Sequence, residues 1–343
     1  MDNKRKLITC ASYGGTGSSA ITDLLKEFKN IKSMGDFEFC FLHEVDGVSD
    51  LQHYIVDDFH RLKTDEGFYR FLKLSYNLNF NFGYSKFFKD NSFYEISREY
   101  IDELQEVSWE GYWHQHRNRY NKFQRIKNFG IDELKLRLFR QVLGKFNPKF
   151  SEFTPRFKTS TMTLSNISYD DFINCTRKYT DRFINLFDKN NEYEFIALDQ
   201  MIPPTNLNRY INYFNNIKVI VVDRDPRDLY ILNKVYWKEG WIPTENLTTY
   251  IEWFKALRKN NEENKNALKI NFEDLIYKYD ETLKEILSFL DIDEKNHIYK
   301  KKYLNPEVSI KNTKLWEKHK DLDGDIKRIE NELKEFCYSI EDN

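Results

Sequence analysis

The sequence predicts an α/β protein built on a central parallel sheet with a large helical insertion. Three observations carry that expectation. The short apolar segments Leu7–Ala11, Phe195–Leu198, Val219–Val222 and Ala267–Ile270 each run into a polar turn and then a helix-like stretch, the rhythm of strand–helix–strand units. Between residues 49 and 188 the rhythm changes, and aromatics and leucines recur at helical spacing through Phe68–Leu78, Ile101–Val107, Leu134–Phe146 and Tyr169–Phe187. Apolar residues make up 40% of the 343 and aromatics 16%, enough to bury a sizeable core and to exclude global disorder.

Taken in order, the first strand leads into Tyr13-Gly14-Gly15-Thr16-Gly17-Ser18-Ser19 and a helix whose apolar face is Ile21, Leu24, Leu25 and Phe28. A second strand is expected over Ile31–Leu42, followed by the insertion at 49–188. The parts 1–48 and 190–343 must meet in one sheet, with no repeat or flexible linker between them. Residues 1–343 are therefore expected to form a single domain.

Composition narrows the function. Fifty-three basic residues against 55 acidic leave a net charge of −2, which argues against broad nucleic-acid binding. Cys10, Cys40, Cys175 and Cys337 show no CxxC spacing and read as thiols in a reducing compartment, neither a disulfide frame nor a zinc site. No apolar run approaches ~18 residues, and the N-terminus lacks the apolar region of a signal peptide. A soluble, cytoplasmic protein without a bound metal is expected.

A strand, a glycine turn and a helix opened by Ser18 and Ser19 together make an anion site, usually for phosphate. The turn is not a Walker A loop, because Gly17 is followed by Ser18 where that motif needs lysine. Nor does the spacing of Gly14, Gly15 and Gly17 fit GxGxxG. Both departures disfavour a nucleotide kinase, a GTPase or a dehydrogenase.

The segment 217–232 is a buried strand ending in Asp223-Arg224-Asp225-Pro226-Arg227-Asp228 and then a helix. With the glycine turn, it resembles the sulfotransferases that use 3′-phosphoadenosine-5′-phosphosulfate (PAPS). Their first loop, Y-P-[KR]-S-G-T-[TS], is similar to Tyr13–Ser19, and their R-[DN]-P-R-D is matched by Arg224–Asp228. Two weaker likenesses follow: Ile270-Asn-Phe-Glu-Asp-Leu-Ile276, and the C-terminal Ser309-Ile-Lys-Asn312 with Trp316. The resemblance implies a three-layer, P-loop NTPase-like sulfotransferase fold. It assigns PAPS as donor and 3′-phosphoadenosine-5′-phosphate (PAP) as product, with no metal required. The donor's 5′ end would lie on Tyr13, Gly14, Gly15, Thr16, Gly17, Ser18 and Ser19. Arg224 would meet the 3′-phosphate, and Ser309, Lys311 and Asn312 would fold over the nucleotide.

Two positions depart from the pattern. The loop lysine or arginine falls on Gly15, and Arg156, Lys158 and Lys311 are the candidates to replace it, with backbone donors or a loss of the chemistry as the other options. The serine that joins the arginine at the 3′-phosphate falls near Leu232, beside Asn233.

On the acceptor side a base must take the hydroxyl proton. By resemblance to carbohydrate and tyrosine sulfotransferases it is Glu38, set between Phe37 and Phe39, where a charge is costly unless it points into a cleft. An outward-facing strand residue is the alternative for Glu38. His43 and Glu44 come next, then Asp199 at the carboxyl end of a strand. Tyr112, Trp113, His114 and His116 form an aromatic-polar cluster suited to stacking on sugar rings or to packing the insertion. The expected activity is sulfuryl transfer from PAPS to a hydroxyl, more readily of a carbohydrate or glycolipid than of a small phenol. A non-catalytic nucleotide or glycan binder of the same fold, or a P-loop nucleotide kinase, is the alternative.

Overall fold

Five segments lie side by side as one parallel sheet in the computed structural model, which describes residues 6–81, 83–88, 90–152 and 159–339 apart from the side chains of His114 and Ser151. In chain order the strands are β1 (Lys6–Ser12), β2 (Ile31–Glu38), β3 (Val107–Gly111), β4 (Ser160–Leu164), β5 (Phe195–Asp199), β6 (Ile217–Asp223) and β7 (Ala267–Asn271). The sheet runs β2-β5-β1-β6-β7, and every pair in it is parallel. Strands buried on both faces need apolar residues at every position. The two faces divide accordingly: Leu7, Ala11, Leu198, Val219 and Val221 pack on one side, and Ile8, Cys10, Ala197, Ile220 and Val222 on the other. The second face is covered by helices Ser18–Leu25 and Tyr279–Leu290. The first is covered by the insertion. The three-layer α/β expectation therefore holds.

The insertion meets the sheet through aromatic rings. Phe41 packs on Phe183 at 4.7 Å between centroids, and Phe39 on Phe187 at 5.2 Å. Phe183 and Phe187 belong to the helix Tyr169–Phe187, which lies against Ser92–Leu104. Such edge-to-face pairs add to the area that aromatics bury, and they account for much of the chain's phenylalanine.

Three expected elements differ from the structure. β2 stops at Glu38 and does not reach Leu42: its register shifts between Ser33 and Glu38, and turns close on the Cys40 carbonyl through the N–H groups of His43 and Glu44. The helix expected over Ile101–Val107 ends at Leu104, whose carbonyl accepts from Ser165 Oγ at 2.6 Å. Val107 and Trp109 then enter a strand, since β-branched and aromatic residues fit a pleated ribbon. β3 pairs antiparallel with β4, which the helical reading of the insertion lacked. Finally, the stretch Leu134–Phe146 is α-helical through Leu136, then a wider π turn to Val142 and a tighter 3-10 turn to Lys145, but Leu134, Leu138 and Phe146 are exposed, so it is not core. Among the described residues no helix is long and apolar enough to cross a membrane.

Candidate functional site

The glycine-rich turn leaves β1 in the middle of the sheet, at the carboxyl ends of the strands, where ligands of open α/β sheets gather. Gly14, Gly15 and Gly17 have φ of +89°, +69° and +113°, conformations that glycine adopts without a Cβ penalty. Among the described residues, the N–H groups of Gly14, Gly15, Thr16 and Gly17 meet no acceptor. Successive free amides in such a turn converge on an anion, and the start of the helix Ser18–Leu25 adds its own donors and dipole. Ser19 is exposed there.

Other loop residues hold the turn in place. Thr16 Oγ1 donates to the Val222 carbonyl at 2.6 Å and accepts from the Tyr13 N–H at 3.2 Å. The Tyr13 ring lies 4.2 Å from the Arg258 guanidinium, and Arg258 Nε pairs with Asp223 at 2.8 Å. Tyr13 and Thr16, expected at the anion, thus have scaffolding contacts. A Cβ on Gly15 would stand 2.7 Å from the Trp237 ring, and one on Gly14 would stand 2.5 Å from Trp241. No lysine fits at Gly15: its backbone is left-handed and an indole fills its side-chain space.

One strand away, β6 delivers Arg224. The guanidinium is buried, lies 4.3 Å from the Phe272 ring, and donates through one terminal nitrogen to the Asn312 carbonyl. Its Nε is buried with no partner. Three carboxyls surround it, and burial pushes two of them up, Glu273 to about 8 and Asp228 to about 7. The third, Asp225, caps the helix Pro226–Ile231 and pairs with Arg227 at 2.9 Å. Asp228 accepts from the N–H groups of Lys314 and Leu315 at 3.1 and 2.8 Å, and Tyr277 and Thr313 share a hydroxyl contact at 2.6 Å. These bonds dock the C-terminal segment across Arg224, with Ser309 partly buried and Lys311 exposed beside Asn312.

Asn233 is placed differently from the expectation. Its amide donates to the Glu239 and Ile242 carbonyls and to Thr244 Oγ1, and accepts from the Glu239 N–H. It pins the 239–244 loop and keeps no donor for a phosphate. Arg156 and Lys158 lie outside the described residues.

On the other side of the glycine turn, β2 and β5 bring two carboxyls together, for Glu38 is in register with Asp199. The Asp199 carboxyl is buried, its Oδ2 accepts from Ser18 Oγ at 3.2 Å, and its Oδ1 has no partner. Burial first, then the Glu38 charge, push it up to about 8. Glu38 is exposed at the sheet edge while Phe37 and Phe39 pack into the aromatic cluster, and partial burial followed by Asp36 raises its carboxyl above the usual range. Cys40 lies within reach of Glu38, Glu44 and Asp199, whose charges add to burial in holding its thiol at about 12. Glu44 is exposed. His43 is turned toward the Met201 backbone and the Tyr210 ring, and burial lowers its imidazole to about 4. Two carboxyls of unequal proton affinity at one edge suit a base and a neutral partner.

A stability measurement checks this pair. Folded Asp199 keeps its proton to about pH 8, whereas an unfolded aspartate loses it near ~4. The folded state binds the extra proton between those values, so stability falls as pH rises through that window. Asp199→Asn should flatten the fall by up to about 1.4 kcal/mol per pH unit, read from melting curves between acid and alkaline buffers. Asp228 and Glu273, raised in the same direction, should retain a residual slope. A curve parallel to that of the wild type would locate the titrating group elsewhere.

The aromatic-polar cluster of the insertion is tied inward. His116 Nε2 meets Asp65 Oδ2 at 2.7 Å, both buried, and Arg119 joins the same oxygen at 2.6 Å. The Arg61 guanidinium lies 4.7 Å from the Trp113 ring, and Tyr112 accepts from Arg117 Nε at 2.8 Å. Sequence reasoning did not find Trp237, Trp241 or Phe272 at the glycine turn. The one available signal was two tryptophans in a short polar stretch soon after Arg224.

No family model matches the chain, and no curated protein matches it. Among solved structures it is similar to the sulfotransferase domain from the curacin biosynthetic pathway, at 14% identity and a TM-score of 0.36, over 84% of this chain and 74% of that one. It is similar to the sulfotransferase domain from the Synechococcus PCC 7002 olefin synthase, at 10% identity and a TM-score of 0.37, over 92% and 90%. A third is a retinol dehydratase solved with androsterone and the inactive cofactor PAP, at 12% identity and a TM-score of 0.34, over 98% and 83%.

Proposed function

We propose that the chain is a sulfotransferase that moves a sulfuryl group from PAPS to a hydroxyl of a saccharide or glycolipid. The observation that carries the reading is Arg224, a buried guanidinium with an unpaired Nε, one strand from a glycine turn with free amides. A buried cation with an unsatisfied donor is costly unless a ligand completes it. The turn and Arg224 together offer two anion sites, as a donor phosphorylated at both ends of its nucleoside requires.

Glu38 stands three strands from Arg224, about 14 Å at ordinary strand spacing, with the turn between them. A linear arrangement follows, with the 3′-phosphate at Arg224, the 5′ end on the N–H groups of Gly14 to Ser19, and the acceptor hydroxyl toward Glu38. PAPS supplies the activated sulfuryl group. Glu38 takes the acceptor proton, and Asp199, protonated at neutral pH, keeps a second negative charge away from the incoming anion. The segment Ser309–Asn312 covers the Arg224 end, and the backbone donors of the glycine turn take over the role of the missing loop cation. The acceptor class rests on the resemblance to carbohydrate sulfotransferases.

PAP should raise the melting temperature with the logarithm of its concentration above Kd, by the equivalent of about 2.7 kcal/mol at a hundredfold excess over Kd, and ATP should not. Arg224→Ala should weaken PAP more than adenosine 5′-phosphosulfate, which lacks the 3′-phosphate. Equal shifts with ATP and PAP, or none with PAP, would remove the assignment. A second reading, a nucleotide binder without transfer, draws on the indole that fills the cation's place at Gly15. Tight PAP binding with no transfer from radiolabelled PAPS to a panel of saccharides and glycolipids would favour it.

A further inference from the structure

We infer that residues 122–150 form a docking surface for an anionic lipid bilayer. The helix Lys122–Leu136 begins at a complete capping box between Asn121 and Gln124. Its one buried residue, Phe129, packs its ring against Tyr120 and Tyr112 at 5.7 and 6.0 Å. Of its other apolar residues, all but the half-buried Leu136 are turned outward. Phe123, Ile126, Ile131 and Leu134 are all exposed, and Leu138 and Phe146 continue the series, with Phe123 at 82% and Phe146 at 83%. From Phe123 to Leu138 they recur three to five residues apart, which at 3.6 residues per turn gathers them on one broad side of the helix.

Solitary exposed apolar residues need no explanation, but a contiguous run marks a contact surface. Charge identifies the occupant. Residues 122–150 carry eight basic and two acidic side chains, while the whole chain is slightly acidic. Among the described residues no carboxylate pairs with Lys122, Arg125, Lys127, Lys135 or Lys145, and one of the two acids, Glu133, is bound to Arg117 at 2.7 Å. An outward apolar series with lysine and arginine around it is the pattern of a helix that lies in the headgroup layer. A second copy of the chain fits less well, because a two-fold contact sets this surface against itself and opposes like charges. An anionic bilayer answers both the apolar side chains and the positive charge.

The inference is independent of sulfuryl transfer, since its measurement needs neither nucleotide nor acceptor. The full-length chain is mixed with vesicles of phosphatidylcholine alone or with about 30% phosphatidylserine, and the bound fraction is read by co-sedimentation. Binding to the anionic vesicles, weakened by salt, is expected. Lys127→Glu with Lys135→Glu should lower partitioning by at least ~25-fold, at roughly fivefold per surface charge. Ile131→Ser with Leu134→Ser should lower it by about tenfold per side chain. Both pairs are exposed, so melting curves should stay unchanged. Failure to bind anionic vesicles would overturn the inference, as would binding that neither pair of substitutions alters. A dimer in sedimentation velocity that the same substitutions dissolve would overturn it too, assigning the surface to a second copy.

Discussion

Glu38→Gln should lower turnover about 10²–10⁴-fold, the range for loss of a general base, and leave PAP affinity unchanged. The substitution keeps the shape of the side chain and removes its ability to accept a proton. It does not touch the nucleotide side, because Arg224 and the glycine turn lie on strands beyond β5. The pairing with Asp199 decides which carboxyl acts. Asp199 is buried and holds its proton to about pH 8, while Glu38 is exposed and more readily ionised. Burial therefore favours the neutral form of Asp199 more strongly than that of Glu38. Turnover should rise on an acid limb as Glu38 ionises, and that limb should vanish in Glu38→Gln. His43 is a poor substitute, since an imidazole at about 4 has little affinity for the proton at neutral pH. Undiminished PAPS turnover in Glu38→Gln would pass the role to Asp199 or Glu44.

The sheet was legible because its inner strands are buried on both faces. Continuous apolar runs bounded by polar turns, such as Phe195–Leu198 and Val219–Val222, fit strands buried on both faces, and the observed strands extend each by only a few residues. The glycine turn was legible for a local reason: three glycines before a pair of serines mark left-handed backbone, and all three have positive φ. Other features depend on distant partners. Nothing adjacent to Gly15 says that Trp237 fills its side-chain space, because the contact spans the whole insertion. Asn233 resembled a phosphate ligand by its distance from Arg224, yet its amide is taken by a loop that follows it. The helical reading of Leu134–Phe146 found the period and not the partner. Periodicity says that a face is apolar and leaves open whether protein or something else covers it.

The charge around Arg224 follows the same logic. Asp225, Asp228 and Glu273 outnumber the cation they surround, which in water would make the place acidic. Burial raises Asp228 to about 7 and Glu273 to about 8, which reduces the negative charge set against Arg224. The short motif Arg224-Asp-Pro-Arg-Asp228 thus reads as balanced charge in sequence, while in the fold Asp225 is taken by Arg227 and Arg224 keeps an unpaired Nε.

Gly17→Val should abolish PAP binding and destabilise the fold together. A bulky residue at this position is more than a plug in the anion site, because the backbone forbids so clean an effect. Gly17 has φ of +113°, and a Cβ there would stand 2.8 Å from the Phe272 ring. A β-branched residue in that region costs about 1–3 kcal/mol in backbone strain, and overpacking against a buried ring adds roughly 1–3 kcal/mol. Phe272 is also the ring beneath the Arg224 guanidinium. Displacing it moves the 3′-phosphate site along with the turn, so one substitution disturbs both halves of the nucleotide site. The melting temperature should fall by several degrees, with no recovery on adding PAP. Gly240→Ala is the control, since a Cβ there meets nothing within 4 Å and its φ is not left-handed. It should melt within the usual ~0.5 kcal/mol of a neutral surface change and bind PAP normally. A Gly17→Val protein that melts like the wild type would show that the turn relaxes away from Phe272, and normal PAP binding by that variant would detach the glycine turn from the nucleotide altogether.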